Sequence, residues 1–401
     1  MKKTLVCIMA LLILLHYTTS FVFAQPPETT SPSIVLASAD SDQILYELNG
    51  DETFSPAGLA KIMVAIVALD KLDPNELLQV TDDIANAASS GEPNVSIQAG
   101  ENMTVGNLVD AMLIGNANDA AIVLGLYISD GNMSDFIAMM NQKAKDLGCV
   151  ETRFANVTGN YDPAQKTTAN EMIKILRAAV KNSYLYDVLA AKDVVMEATN
   201  LSEARTFKSS NQLRYPDSDY YYANVTGGKT GYLSQTGYNI AVVADNAEQK
   251  LLCVTLAASS QSDSFNDTRS ILKYGFEVFV MNEIVEKDKP YQTVNVFGSP
   301  VKTVQLYAQE SCSYLMDPDT RDEFNATINV PSEGIEAPKK KGEVIGTMTV
   351  TYQGEKIGEV NLVLNEDVPI ETSLGIMNTV FMGVAVLLML YVFYRLYKYF
   401  G

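Results

Sequence analysis

The feature that most constrains the fold is a long apolar segment with no helix breaker, from Gly58 to Leu72 (GLAKIMVAIVALDKL). Every residue between Lys61 and Asp70 is apolar, so the segment has no polar face to turn toward water. A helix that is apolar all round is buried in the core of a larger fold. The rest of the chain must therefore enclose this helix, and Lys61 is expected to be buried near its start.

Strand-like segments lie on both sides of a helical region, which predicts an α+β fold. Residues 33–54 read as two short strands with turns, and residues 105–148 and 168–192 have helical patterns. Strands return between residues 238 and 258, and a further helix follows them. We therefore expect an antiparallel sheet with a helical subdomain over residues 33–283.

After Lys287 the pattern changes to short strand-like runs with turn residues between them. Residues 348–364 predict a β-hairpin that turns at Gln353-Gly354-Glu355. These patterns predict a second, all-β domain over residues 287–370.

Both ends of the chain are apolar. Residues 1–24 combine a basic start with a short apolar run, which indicates a secretory signal peptide, and residues 25–32 form a polar, proline-rich linker. Residues 375–394 contain no charged residue. This segment is long enough for one transmembrane helix, although a buried core helix is the alternative. The basic residues of the last segment, 395–401, predict that this stub is cytoplasmic and that the body lies outside the cell membrane.

Composition excludes several classes of function. The single histidine, His16, lies in the segment expected to be removed, so the mature chain would lack the imidazole that Ser-His-Asp hydrolases, Cys-His hydrolases and many zinc sites require. The net charge of −19 makes nucleic acid and anionic lipid surfaces poor partners. Three cysteines outside that segment are too few to indicate a disulfide framework. We expect no metal and no cofactor, and any chemistry must use lysine, hydroxyl, thiol or carboxylate groups.

Three short segments stand out by their order along the chain and by their flanking residues. They are Pro56–Lys61, Asn116–Ala120 and Gly228–Gly231. Together they resemble the serine D-alanyl-D-alanine carboxypeptidases, the low-molecular-mass penicillin-binding proteins. The resemblance covers nearly all of residues 33–283, and a β-rich domain before a membrane anchor also matches that family. It implies a penicillin-binding, β-lactamase-like fold, a role in peptidoglycan metabolism, and a cleft that takes stem peptides or β-lactams.

The resemblance also implies a mechanism that needs no histidine. In this family a serine at the start of the buried helix attacks the peptide carbonyl, and a lysine one turn later, here Lys61, takes its proton. A Ser-x-Asn motif relays protons and holds substrate. A Lys-Thr-Gly motif on an edge strand, here Lys229, Thr230 and Gly231, binds the substrate backbone and its terminal carboxylate, and two backbone N–H groups hold the oxyanion.

This chain departs from that pattern at the reacting group. Gly58 occupies the position of the serine nucleophile, and Asn116 replaces the serine of the second motif, although Asn118 is retained. The family commonly has an arginine before a phenylalanine ahead of the closing helix, where this chain has Ser264 before Phe265. Glycine has no oxygen with which to attack a carbonyl.

These departures leave three hypotheses for the function. The first is a membrane-anchored family member that is catalytically impaired and binds stem peptides or a protein partner. The second is an active carboxypeptidase that uses another nucleophile, for which Ser55 is poorly placed because it precedes Lys61 by six residues rather than one helical turn. The third is a structural envelope protein whose groove is an interface. Lys61 could then be a buried lysine paired with a carboxylate or with Asn118.

Overall fold

The computed structural model describes residues 25–89, 93–316, 324–352, 354–371 and 373–400, without the side chains of residues 373–379, 397, 399 and 400. The predicted signal peptide, residues 1–24, lies outside the described residues. The chain divides into two compact units, one ending at Val280 and one beginning at Met281.

The first unit is built on a five-stranded antiparallel sheet in the order β2-β1-β9-β8-β7. All six residues of β1 are buried, and the four residues between Ser33 and Ser38 are apolar. Strand β7 has only one neighbour and forms an edge of the sheet. The strands are β1 (Ser33–Ser38), β2 (Ile44–Leu48), β7 (Val225–Leu233), β8 (Gly237–Asp245) and β9 (Lys250–Ala258).

Two short antiparallel ribbons accompany this sheet. The first pairs β3 (Leu77–Gln79) with β4 (Asn102–Thr104), and the second pairs β5 (Asp193–Met196) with β6 (Arg205–Lys208). Neither ribbon was evident from the alternation of residues in the sequence, because strands of three or four residues are too short to show a period.

The helices of the first unit pack around the predicted apolar helix, α1. Its first nine residues, Ala60 to Ala68, are all buried, so the prediction of a helix enclosed on every side is confirmed. It follows a 3₁₀ turn over Ala57–Leu59. The helices are α1 (Ala60–Lys71), α2 (Asp82–Ala88), α3 (Val105–Leu113), α4 (Asn118–Ile128), α5 (Met133–Asp146), α6 (Ala169–Lys181), α7 (Ser183–Ala190) and α8 (Gln261–Val278), with a second 3₁₀ turn over Gln212–Arg214.

The linker has no regular secondary structure, but its last residues are fixed to the first unit. Both the backbone N–H and the hydroxyl of Ser31 donate to Oδ2 of Asp267 on α8, at 2.8 and 2.6 Å. The same two groups of Thr30 donate to that oxygen at 3.0 and 3.2 Å. This carboxylate therefore holds the approach to β1 against the last helix of the unit.

The second unit is all-β, as predicted. Its main sheet has the order β14-β16-β17-β12-β11-β15, and a separate pair joins β10 to β13. Strands β16 and β17 form the predicted hairpin, with Tyr352 opposite Glu355, although Gln353 in its turn lies outside the described residues. The strands are β10 (Val280–Val285), β11 (Pro290–Phe297), β12 (Thr303–Ala308), β13 (Cys312–Met316), β14 (Phe324–Asn329), β15 (Ile335–Glu336), β16 (Val344–Tyr352) and β17 (Glu355–Leu364).

Residues Ser373–Phe400 form one helix, α9, and the predicted membrane span, 375–394, falls on it. The side chains of residues 375–379 lie outside the described part. Among the residues that are described, no helix is long and apolar enough to cross a membrane, so the predicted span is not supported.

The enclosed helix makes a prediction about stability. Met63→Ala, at a fully buried position of α1, should lower the free energy of unfolding of the first unit by about 2–5 kcal/mol, because it removes packed atoms and leaves a cavity. Leu69→Ala, at the partly exposed end of the same helix, is the matched control and should cost less. Urea denaturation followed by circular dichroism measures both, and equal costs would contradict the enclosed position of the helix.

Candidate active site

Gly58 lies in the 3₁₀ turn that precedes the buried helix α1. A Cβ atom built on Gly58 would lie 3.3 Å from three atoms, which are Oδ1 of Asn116, the carbonyl oxygen of Thr230 and Cα of Gly231. Two of these atoms belong to the backbone of β7. The space beside Gly58 is therefore narrow, and any side chain there would need its neighbours to shift by a few tenths of an ångström.

The Lys61 side chain is buried and directed at Asn116. Its Nζ donates to the backbone oxygen and to Oδ1 of Asn116, both at 3.0 Å. Burial, together with the nearby amine of Lys229, holds the pKa of Lys61 well below its ordinary value, and Asp119 opposes this only in part. An amine with a lowered pKa is the kind of group that accepts a proton from a nucleophile.

Lys229 on β7 approaches the same amide from the sheet. Its Nζ donates to the carbonyl oxygen of Leu113 at 2.9 Å and to Oδ1 of Asn116 at 3.2 Å. Burial lowers the pKa of Lys229 to about 7. One amide oxygen thus accepts hydrogen bonds from two buried amines.

The identity of Asn116 limits what this arrangement does. A hydroxyl both donates and accepts, so it passes a proton along a chain of hydrogen bonds, whereas an amide oxygen only accepts. Asn116 therefore positions Lys61 and Lys229 without relaying protons between them. Its φ angle of 57° lies in the left-handed region, which few residues other than glycine adopt.

Asn118 and Asp119 begin helix α4 and are both buried. Asp119 accepts hydrogen bonds from the N–H groups of Val95 and Ile97, at 3.0 and 3.2 Å, and burial raises its pKa. Asp119 is next to a predicted site residue, yet the sequence did not indicate its role. It holds the segment that carries Pro93, which lines the cleft.

Thr230 and Gly231 continue along β7 from Lys229. The hydroxyls of Thr230 and Ser210 are hydrogen-bonded at 2.5 Å. A Cβ atom on Gly231 would lie 2.7 Å from the backbone nitrogen of Gly58, so only glycine permits this close approach of the strand to the turn.

A cleft of about 440 Å³ lies beside Asn116 and β7, and neither Gly58 nor Asn118 is among the residues that line it. Of the predicted site residues, Asn116, Thr230 and Gly231 line it directly, and Lys61 and Lys229 lie behind Asn116. Ser264, at the position compared with the family's arginine, also lines it. Sequence reasoning did not assign the remaining lining residues to the site: Pro93, Ser210, Tyr232, Tyr238, Asn239, Gln261 and Phe265.

Ser55, the alternative nucleophile, is hydrogen-bonded to groups other than the two lysines. Its Oγ accepts a hydrogen bond from the N–H of Ala57, and its carbonyl oxygen accepts one from Nδ2 of Asn239. In the described part of the chain, neither Lys61 nor Lys229 is hydrogen-bonded to a hydroxyl group. Both buried amines donate to amide or carbonyl oxygens.

The buried amine of Lys229 predicts how stability depends on pH. Its folded pKa of about 7 lies below the value of about 10.4 in an unfolded chain, so between these values the unfolded chain binds more protons. Stability should therefore rise with pH from about 7 to 9, by up to about 1.4 kcal/mol per pH unit from this group.

Lys229→Met should reduce that slope, since it removes one titrating amine and leaves Lys61. The exposed Lys208→Met is the matched control and should keep the wild-type slope. Urea midpoints at pH 7, 8 and 9 measure the effect. A Lys229→Met slope equal to that of the wild type would contradict the assignment.

Comparison with known proteins finds a match for each of the two units. Residues 20–260 match the D-alanyl-D-alanine carboxypeptidase family, and residues 279–369 match the C-terminal domain of penicillin-binding protein 5. The chain is 28% identical to D-alanyl-D-alanine carboxypeptidase DacC of Escherichia coli, over 86% of this chain and 87% of that protein. It is 26% identical to DacF of Bacillus subtilis, over 92% and 95%.

Among solved structures, penicillin-binding protein 5 of Haemophilus influenzae is similar with a TM-score of 0.70 and 24% identity. The match covers 86% of this chain and 99% of that one. It confirms the penicillin-binding, β-lactamase-like fold with an all-β C-terminal domain. The family match extends over more than half of the sequence, and the chain therefore belongs to the D-alanyl-D-alanine carboxypeptidase family.

Proposed function

We propose that this member of the family has lost acyl-enzyme chemistry and uses its cleft to bind peptidoglycan stem peptides. The observation that carries the proposal is Gly58, which lies in the turn that leads to Lys61 and has no side-chain oxygen. The relatives DacC and DacF, named as D-alanyl-D-alanine carboxypeptidases, supply the class of ligand.

Loss of the nucleophile removes nearly all of the rate in a comparable serine hydrolase, on the order of a millionfold. The amines of Lys61 and Lys229 do not replace it. Both donate to oxygen atoms of the protein, and both side chains are buried, with exposed fractions of 1% and 3%. We therefore assign both lysines a positioning role, in which they hold Asn116 and β7 at the edge of the cleft.

A fluorescent penicillin tests the loss of acylation. The wild-type protein should form no covalent adduct because it has no placed hydroxyl. Gly58→Ser combined with Asn116→Ser should form one, since it restores a nucleophile beside Lys61 and a hydroxyl that relays protons. Gly58→Ala with Asn116→Ser is the matched control: it imposes the same crowding at position 58 without the oxygen.

Labelling is read from gels and the modified residue is located by mass spectrometry. Covalent labelling of the wild-type protein at Ser55, or at any other residue, would overturn the loss of acylation and favour an active carboxypeptidase. Labelling of the alanine control would show that the introduced serine is not the nucleophile.

Binding is tested separately from acylation. A fluorescein-labelled peptide that ends in D-Ala-D-Ala, as the free acid or as the amide, should bind the wild-type protein reversibly in an anisotropy titration. Tyr232→Asp, which places a charge in the cleft, should weaken binding. If neither form of the peptide binds to the folded protein, the binding role fails and the cleft is better explained as an interface with a protein partner.

We also propose that the body of the protein lies outside the cell membrane, attached through its C-terminal helix. The ligand class of the relatives supports this location, and large apolar side chains between Val380 and Leu396 are exposed. Fractionation of cells that express the full chain should place it with membranes, and a chain that stops before Ser373 should be released. Equal distribution of the two chains would contradict attachment by this helix.

A further inference from the structure

The lining of the cleft is uncharged. Its described side chains carry hydroxyl, amide, aromatic or apolar groups, and none of them is a lysine, arginine, aspartate or glutamate. An uncharged lining is unusual in this chain, which has 77 charged residues, 29 of them basic and 48 acidic. A ligand that enters this cleft meets dipoles and rings and no neutralising charge.

The two lysines closest to Asn116 do not line the cleft. Lys61 and Lys229 lie behind Asn116, and their amines donate to the oxygens of Asn116 and Leu113. Burial lowers the pKa of both amines, so the positive charge behind Asn116 is reduced as well. Neither amine is placed to pair with a ligand group in front of Asn116.

The end of the cleft formed by α8 also offers no cation. Ser264 is 3% exposed, and its Oγ donates to the carbonyl oxygen of Gln261 at 2.8 Å. Gln261 is exposed and contributes an uncharged amide. A carboxylate brought into such a site loses water without gaining an ion pair, which is unfavourable.

Other features of the cleft suit a neutral extended peptide. Strand β7 is an edge strand, and an open edge offers backbone donors and acceptors to a peptide that lies alongside it. Tyr232 on this strand is 55% exposed and stacks on Tyr238, with ring centroids 4.3 Å apart. The stacked rings provide a flat apolar surface next to the open edge.

We propose that the cleft takes a peptide segment whose C-terminal end is uncharged, either internal to a cross-linked chain or capped as an amide, in preference to a free terminal carboxylate. This inference rests on the proposed function, because it assumes that the cleft binds stem peptides. It concerns which chemical form of the peptide is bound.

The experiment compares two fluorescein-labelled peptides ending in D-Ala-D-Ala that differ only at the C-terminus, one a free acid and one an amide. Anisotropy titrations with the full-length wild-type protein should show the amide binding more tightly, on the order of tenfold, because the acid leaves a desolvated charge unpaired. The affinity for the amide should change little between low and high salt.

A cation added to the lining should reverse this preference. Gln261→Arg, at an exposed position that tolerates a long side chain, should strengthen binding of the acid relative to the amide on the order of tenfold. Gln261→Met has a side chain of similar length without charge, and it separates the effect of losing the amide group from the effect of adding a cation.

The possible failures are distinguishable. If the acid binds the wild-type protein as tightly as the amide or more tightly, the inference is overturned while the proposed binding function stands. If neither peptide binds, the proposed function fails and the inference fails with it. A Gln261→Met protein that reverses the preference would show that charge is not the cause.

Discussion

The Oδ1 atom of Asn116 is the contact on which the geometry of the site depends. It accepts hydrogen bonds from Lys61, on the buried helix α1, and from Lys229, on the edge strand β7. These elements belong to the helical part of the unit and to the sheet, so one polar atom joins the two sides of the cleft. Each amine also donates to a backbone oxygen, Lys61 to that of Asn116 and Lys229 to that of Leu113, so a second hydrogen bond holds each end of this contact. The position of β7 against α1 is therefore set by a buried polar contact as well as by apolar packing.

Backbone features around this contact are those of a strained site. Ala57 has a φ angle of 48° and Asn116 one of 57°, conformations that cost of order 1–3 kcal/mol each outside glycine. Glycines permit the surrounding backbone to approach closely: a Cβ atom on Gly159 would lie 2.1 Å from the carbonyl oxygen of Ala57. A strained backbone conformation persists only where contacts with the surrounding structure hold it in place. The chain thus carries two costly backbone conformations close to Gly58, one at Ala57 and one at Asn116.

The enclosed helix, the all-β unit and the motif residues of the site could be predicted from the sequence, because each of them is encoded in a long run of residues or in a short local motif. The unbroken apolar run after Gly58 indicated the enclosed helix, and the alternating runs after Lys287 indicated the all-β unit. The convergence of the motif residues followed from the resemblance. The lining of the cleft could not be predicted, since Ser210, Tyr232 and Gln261 are ordinary residues that only the fold brings together. Charge-free length predicted a membrane span, whereas no helix among the described residues is long and apolar enough to cross a membrane.

The replacements at positions 58 and 116 are best understood together. A Cβ atom on Gly58 would lie 3.3 Å from Oδ1 of Asn116, so the longer amide side chain occupies part of the space that a residue at position 58 would need. The same amide oxygen accepts hydrogen bonds from both buried amines, at 3.0 and 3.2 Å. Glycine at position 58 and asparagine at position 116 are therefore sterically complementary, and each makes the other less costly. Because the two sites share a contact, the effects of changing them should not be additive. The two lysines are structural partners of this amide, since each of them donates a hydrogen bond to its Oδ1 atom.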